Sequence, residues 1–329
     1  MGCAARTTAF DRVVARLERA AKGRENLLAV LTYHRVDWPD AAPELHAGLI
    51  SATPPEFDEQ MRHLASSHHL ASLDELLAAR EGRTRLPAGS VMVTFDDAYI
   101  DFARNAWPVL QRHGVPTTLF VPTAYPDHPE RSFWWDRLSH ALSQTTRVSV
   151  DTPIGTVELA TSGDRVEAFS RLRTLVKATP HHEAMALVDG LSHHLGAPAT
   201  PAAVLGWDEL RGLGAGGVTL AAHSRTHPML DRLEPEGQHG EISGSLGDLA
   251  EQTGAAPPAF AYPGGGVDLP ATRALRLAGV RVAFTTERGG NDLGRTDWLR
   301  LRRINVGRNS SPALVRAQLL PAYLAFTSP

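Results

Sequence analysis

Cysteine is nearly absent from this chain: Cys3 is the only one in 329 residues. No intrachain disulfide can form and thiolate zinc clusters are excluded, so any metal must be held by histidine and carboxylate. No apolar run of about 18 residues occurs, so no spanning helix is expected. The start of the sequence lacks the basic residues, apolar stretch and cleavage site of a secretory signal, and no apolar segment precedes Cys3 as a lipoprotein site requires. Taken as written, the chain reads as cytoplasmic. Charge of one sign is missing too. A formal net charge of −3 gives no electrostatic case for a nucleic-acid partner. Oligomeric state is not legible.

What is present in quantity is histidine, at fifteen residues. Only spacing can separate ligands from surface residues. The pairs His68-His69, His181-His182 and His193-His194 are read as solvated, because adjacent residues on a helix point about 100° apart and cannot readily chelate one metal.

The length and a hydrophobic share of 43% suit one large α/β barrel or two smaller domains. Residues 9–22 carry Phe10, Val13, Val14 and Leu17 on one helical face, with Arg12, Arg16 and Arg19 opposite. That pattern fits a helix packed on a barrel or one lying on a membrane surface. Residues 37–54 read as a loop. Apolar runs at 27–34, 91–95, 117–121, 218–222, 258–263 and 280–285 read as buried strands alternating with helices. A capping box at Ser72 and Glu75 opens one of those helices. Another runs through about Arg112 and stops at His113-Gly114. Residues about 124–205 break the rhythm with Phe133-Trp134-Trp135-Asp136, a hairpin and two helices, and are read as an insertion. The division is 1–26 as an N-terminal helix, 27–308 as the main unit and 309–329 as a tail without a readable motif. Alternation of this kind gives a parallel α/β barrel or open sheet, with active-site residues at the carboxyl ends of strands.

Gly212-Leu213-Gly214-Ala215-Gly216-Gly217 matches the dinucleotide fingerprint by letters. A helix precedes it and a strand follows, the reverse of what phosphate binding needs, so it is read as a helix stop.

The strand ends hold the chemistry. Thr94-Phe95-Asp96-Asp97 closes one strand, His223-Ser224-Arg225-Thr226-His227 another, and Tyr33-His34 an early one. A carboxylate and two imidazoles can hold one divalent metal and leave positions open for water and substrate, the ligand logic of metal-assisted hydrolysis.

These residues resemble the NodB-homology polysaccharide deacetylases, carbohydrate esterase family 4, across roughly 27–305. The Thr-Phe-Asp-Asp and His-Ser-Arg-Thr-His segments resemble its first two motifs, and Phe260-Ala261-Tyr262-Pro263-Gly264 a variant third. The resemblance implies a distorted (β/α)7-type barrel and removal of N-acetyl groups from an N-acetylated sugar or polysaccharide. It implies Asp97, His223 and His227 as ligands of one divalent metal, most simply Zn2+, with Co2+, Ni2+ or Mn2+ suiting the same donors. Asp96 would be the general base, and the Tyr262–Gly264 turn would serve substrate and oxyanion, with a backbone N–H near Gly264 as donor.

Two departures stand out. No late Leu-x-His motif supplies a general acid, and His239 sits within an expected helix. His34 takes that role by resemblance to the poly-N-acetylglucosamine deacetylase branch. The third motif has Ala261 where an arginine usually pairs with the base, and Arg303 is expected to replace it. Asp297-Trp298 faintly resembles a fourth motif. Trp134 can stack on a sugar ring or pack the insertion, and Trp207 is read as core. Two rivals stand beside this reading: a hydrolase of small amides, imides or O-acetyl esters on the same fold, and an inactive carbohydrate-binding module.

Overall fold

In a computed structural model, which describes residues 9–20, 23–43, 45–128, 130–200 and 203–328, seven parallel strands close on themselves. They are β1 (Leu27–Tyr33), β2 (Ser90–Phe95), β3 (Thr117–Val121), β4 (Thr219–Ala222), β5 (Ala259–Ala261), β6 (Val282–Arg288) and β7 (Leu301–Asn305). Their order is β1-β7-β6-β5-β4-β3-β2, and β2 pairs back onto β1 from Leu28↔Ser90 to Tyr33↔Phe95. The fold is a distorted (β/α)7 barrel. A two-residue strand, His69–Leu70, extends the sheet beyond β2, and Asn291–Asp292 runs antiparallel to β1.

Alternation along each strand sorts two apolar layers. Leu28, Val30, Met92, Phe120, Ala221, Ala259, Ala261, Val282, Phe284 and Leu301 share one cluster, which fills the barrel interior. Residues of opposite parity, such as Leu31, Phe95, Leu119 and Phe260, join the larger cluster under the surrounding helices.

The capping box at Ser72 forms as expected. The helix ending at His113 stops at Gly114, whose φ of 63° is the left-handed stop that glycine adopts without strain. This helix is not regular throughout: a π turn spans Phe102–Ala106. Pro108 follows and cannot donate to the carbonyl of Arg104. The glycine-rich segment is a helix stop, since helix Trp207–Ala215 precedes it and β4 follows. Trp207 is buried.

Several sequence expectations need correction. Strand β7 was not anticipated. The loop read over 37–54 contains a strand, Ile50–Ala52, paired to Arg35–Val36. The segment from 309 folds into helices Pro312–Gln318 and Pro321–Thr327; Val315 and Leu324 from them, and Leu319 between them, enter the large core. Helix Ala9–Ala20 contacts the first of these, where Glu18 and Arg316 form an ion pair, and buries Val14. Phe10, Val13 and Leu17 on its apolar face remain about half exposed. Cys3 and residues 21–22 of the expected first helix lie outside the described residues. No described helix is long and apolar enough to cross a membrane.

The insertion holds helix Trp134–Gln144, a hairpin of Ser149–Thr152 with Gly155–Glu158, and helices Ser162–Ala178 and His181–His194. It has its own apolar cluster, in which Tyr99 from the loop after β2 takes part. A buried polar chain joins the two units. Trp135 Nε1 donates to the Tyr99 hydroxyl, which donates to Asp136 Oδ2, at 2.9 and 2.8 Å.

Candidate metal centre and active-site cavity

Strand parity carries the interior of the barrel directly into its mouth. Residues in phase with Val30, Met92, Ala221 and Leu301 are His34, Asp96, His223 and Arg303, and all four line one cavity of about 360 Å³.

Asp97, His223 and His227 converge there, with their donor atoms within 4.8 Å of one another. His227 Nε2 and His223 Nε2 lie 3.1 and 3.5 Å from Asp97 Oδ1. His223 Nδ1 sits 2.8 Å from the Ala261 carbonyl. A carbonyl only accepts, so Nδ1 carries the proton and Nε2 presents its lone pair to the cavity. Asp97 Oδ1 is buried without a hydrogen bond. A carboxylate oxygen facing imidazole lone pairs is a donor set for a divalent cation, so these residues fit the metal that the fold family implies.

The backbone is bent to deliver them. Asp97, Ser224 and His227 have φ of 73°, 60° and 59°, left-handed values that cost non-glycine residues about 1–3 kcal/mol each and cluster at functional sites. Local bonds hold the second turn. Glu241 accepts the backbone N–H groups of Arg225 and Thr226, and Ser224 Oγ accepts that of His227. Trp135 lies edge-on to His227, with ring centres 4.9 Å apart.

Asp96 stands beside this triad. Arg303 Nη1 and Nη2 donate to its two carboxylate oxygens at 2.8 and 2.7 Å, and Nε donates to the Thr285 carbonyl. Burial drives the Asp96 carboxyl up, but Arg303 and His223 outweigh it and hold the group below the ordinary carboxylate range. Asp97 is likewise held low against burial by the imidazoles of His227 and His223. Asp96 and Asp97 lift His223 above its usual value against burial, whereas burial lowers His227. His34, half-buried at the end of β1, is close enough for its charge to act on both carboxylates. Its backbone N–H donates to Ser51 Oγ at 3.0 Å.

Gly264 lines the cavity with φ of 58°, and Gly265 behind it has φ of 78°. A Cβ on Gly265 would lie 1.9 Å from Thr286 Oγ1, so only glycine fits that turn.

Tyr262 requires a correction. Parity on β5 points Ala261 inward and Tyr262 outward, and its ring is fully buried in the outer layer. Its hydroxyl donates to the Leu299 carbonyl at 2.9 Å, so the side chain does not reach the cavity. Trp134 does line it. Asp297-Trp298 and His239 lie outside it; Trp298 packs below the barrel against the Arg80 guanidinium. His181 departs from the solvated reading of its pair, because it lines the cavity while His182 is exposed. His46, Arg173, Lys177, Met229, Arg232 and Asn305 also line it and were not anticipated. Asn305 shares the parity of Leu301 and Arg303, a signal that opens only once strand β7 is known.

A family model described as polysaccharide deacetylase matches residues 83–283. The chain belongs to that family. It is a deacetylase, a hydrolase built on the family's barrel. Solved structures similar to this deacetylase include a Streptococcus pyogenes deacetylase, PplD, in complex with acetate, at 20% identity and a TM-score of 0.60 over 91% of this chain and 99% of that one. IcaB from Ammonifex degensii is 18% identical with a TM-score of 0.59, over 89% and 97% of the two chains. A de-N-acetylase from Aggregatibacter actinomycetemcomitans is 15% identical with a TM-score of 0.58, over 88% and 98%. At these identities the likeness is one of fold. No curated protein matches the sequence.

Proposed function

We propose that this deacetylase removes the acetyl group from an N-acetylated sugar at a divalent metal held by Asp97, His223 and His227. The observation that carries the reading is the Arg303–Asp96 pair beside that triad: a buried carboxylate fixed by two hydrogen bonds and kept ionised, next to a carboxylate oxygen with no hydrogen-bond partner. Zinc suits the donors best. When bound, the metal supplies Lewis-acid polarisation of the acetyl carbonyl and lowers the pKa of nearby water toward about 7.

The remaining work falls to the chain. Asp96 accepts the proton of the attacking water. Arg303 keeps Asp96 oriented and ionised, so it takes that proton in a fixed direction. The Gly264 turn presents backbone to the cavity where the oxyanion develops. His34, on the far side of the two carboxylates' strand, gives a proton to the departing amine. Trp134 offers a ring face to the sugar.

Asp96→Asn tests the assignment. Its metal content should stay at one per chain while acetate release falls about 1,000-fold, the usual size of a general-base contribution. Near-normal turnover would remove Asp96 from the mechanism.

A further inference from the structure

One wall of the cavity carries charge that the deacetylation chemistry leaves unused. Arg173 and Lys177 sit one turn apart on insertion helix Ser162–Ala178, and both line the cavity. Among the described residues neither forms an ion pair with a carboxylate. Arg173 stands over the Phe169 ring at 6.0 Å, and its charge depresses both Lys177 and His46, after burial. Two cations thus face each other without a counterion, an arrangement that costs energy until an anion joins it.

The next helix adds donors of the same sense. His181–His194 begins after Pro180 with no side-chain cap. Its first intrahelical bond is Ala184 N–H to the Pro180 carbonyl, leaving the N–H groups of residues 181–183 without helical acceptors. Thr179, His181 and Ala184 of this start line the cavity. Glu183, in the first turn, does not. Arg232, beside Asp231 at 4.0 Å, contributes a further cation to the lining. Among the described residues, Asp96 and Asp97 are the only carboxylates in the lining.

We propose that Arg173, Lys177 and the start of helix His181–His194 bind the phosphate of a phosphorylated N-acetyl sugar, placing its acetamide over the metal site. The inference rests on the deacetylation assigned above. A phosphate, with up to two charges and several acceptor oxygens, matches two side-chain cations and a helix start better than a single carboxylate does. The wall also disfavours a polymer deacetylated at many positions, because each product amine becomes an ammonium that these cations repel. Nucleotide-linked and lipid-linked diphosphate sugars share the required chemistry.

The test measures binding to the metal-loaded protein by calorimetry, with acetate release followed in parallel. N-acetylglucosamine 1-phosphate should bind at least 30-fold more tightly than N-acetylglucosamine. Arg173→Ala with Lys177→Ala should remove most of that preference, roughly tenfold for each charge-assisted contact. Metal content and affinity for the neutral sugar should not change. Both sites are exposed and helical, where alanine is well tolerated. Equal affinity for the two sugars, or a preference that survives the double variant, would overturn the proposal. UDP-N-acetylglucosamine and a short polyprenyl-diphosphate N-acetylglucosamine identify the carrier, the tighter of the two naming it. Phosphate-dependent binding without acetate release would leave this wall standing and sink the reaction. Acetate release with no phosphate preference would do the reverse.

Discussion

At the barrel rim, Asp96 and Arg303 are under 4% exposed and joined by two hydrogen bonds. Across the same cavity, Arg173 and Lys177 are exposed and have no carboxylate partner among the described residues. The rim is held by strand parity and a closed sheet, so its groups are fixed before any ligand arrives. The wall is set by side chains of an insertion with its own core, and its charges await a partner. The groups proposed to move protons sit at the ends of barrel strands, while side chains of the insertion line the opposite wall.

Replacing Arg303 breaks this contrast most severely. Arg303→Met leaves Asp96 buried without its cation, and breaking such a pair costs about 3–5 kcal/mol of stability. Activity should fall at least about 100-fold. With the guanidinium gone, burial is less opposed and the Asp96 carboxyl rises, so the acid limb of the kcat/KM profile should move to higher pH. An unshifted limb would show that Arg303 does not tune Asp96.

The junction between the two regions gives a smaller effect. Burial pushes Asp136 up to about 6, and the charge of Asp97 adds to the rise. Its folded pKa exceeds its unfolded value near 3.8, so the folded state binds this proton more tightly. The group therefore favours folding below pH 4, and that contribution disappears as pH rises to about 6, a change of about 3 kcal/mol. Asp136→Asn does not titrate. Its stability relative to the parent should improve by about that amount between pH 4 and 7, measured by urea unfolding. A relative loss over the same range would contradict the assignment.

Tyr262→Phe sharpens the comparison from the rim side. It removes one buried hydroxyl bonded to Leu299, costing about 1 kcal/mol with kcat unchanged. A large loss of kcat would return Tyr262 to the cavity.

How much was legible in the sequence follows from the same contrast. Strands β1 to β6 show as apolar runs, and Asp96, Asp97, His223, His227 and His34 were readable because strand ends point to a barrel's mouth. Strand β7 was hidden by composition: Leu301-Arg302-Arg303-Ile304-Asn305 reads as polar, and the partner that neutralises its inward arginine, Asp96 just beyond β2, is one that a local pattern cannot show. Tyr262 was misplaced because strand-end position was used without parity; counting inward from Ala259 and Ala261 turns it outward. Arg173, Lys177 and His181 sit on helices far from any strand end, where a basic residue looks like ordinary solvated surface. Helices Pro312–Gln318 and Pro321–Thr327 are seven residues each, too short for helical periodicity to stand out.

The most direct measurement of the central claim is acetate release and bound metal in one sample, before chelation, after it, and after zinc is restored. Release should vanish with the metal and return with it at one ion per chain, and His223→Ala should fail to recover either. Full acetate release from protein stripped of metal would contradict the account.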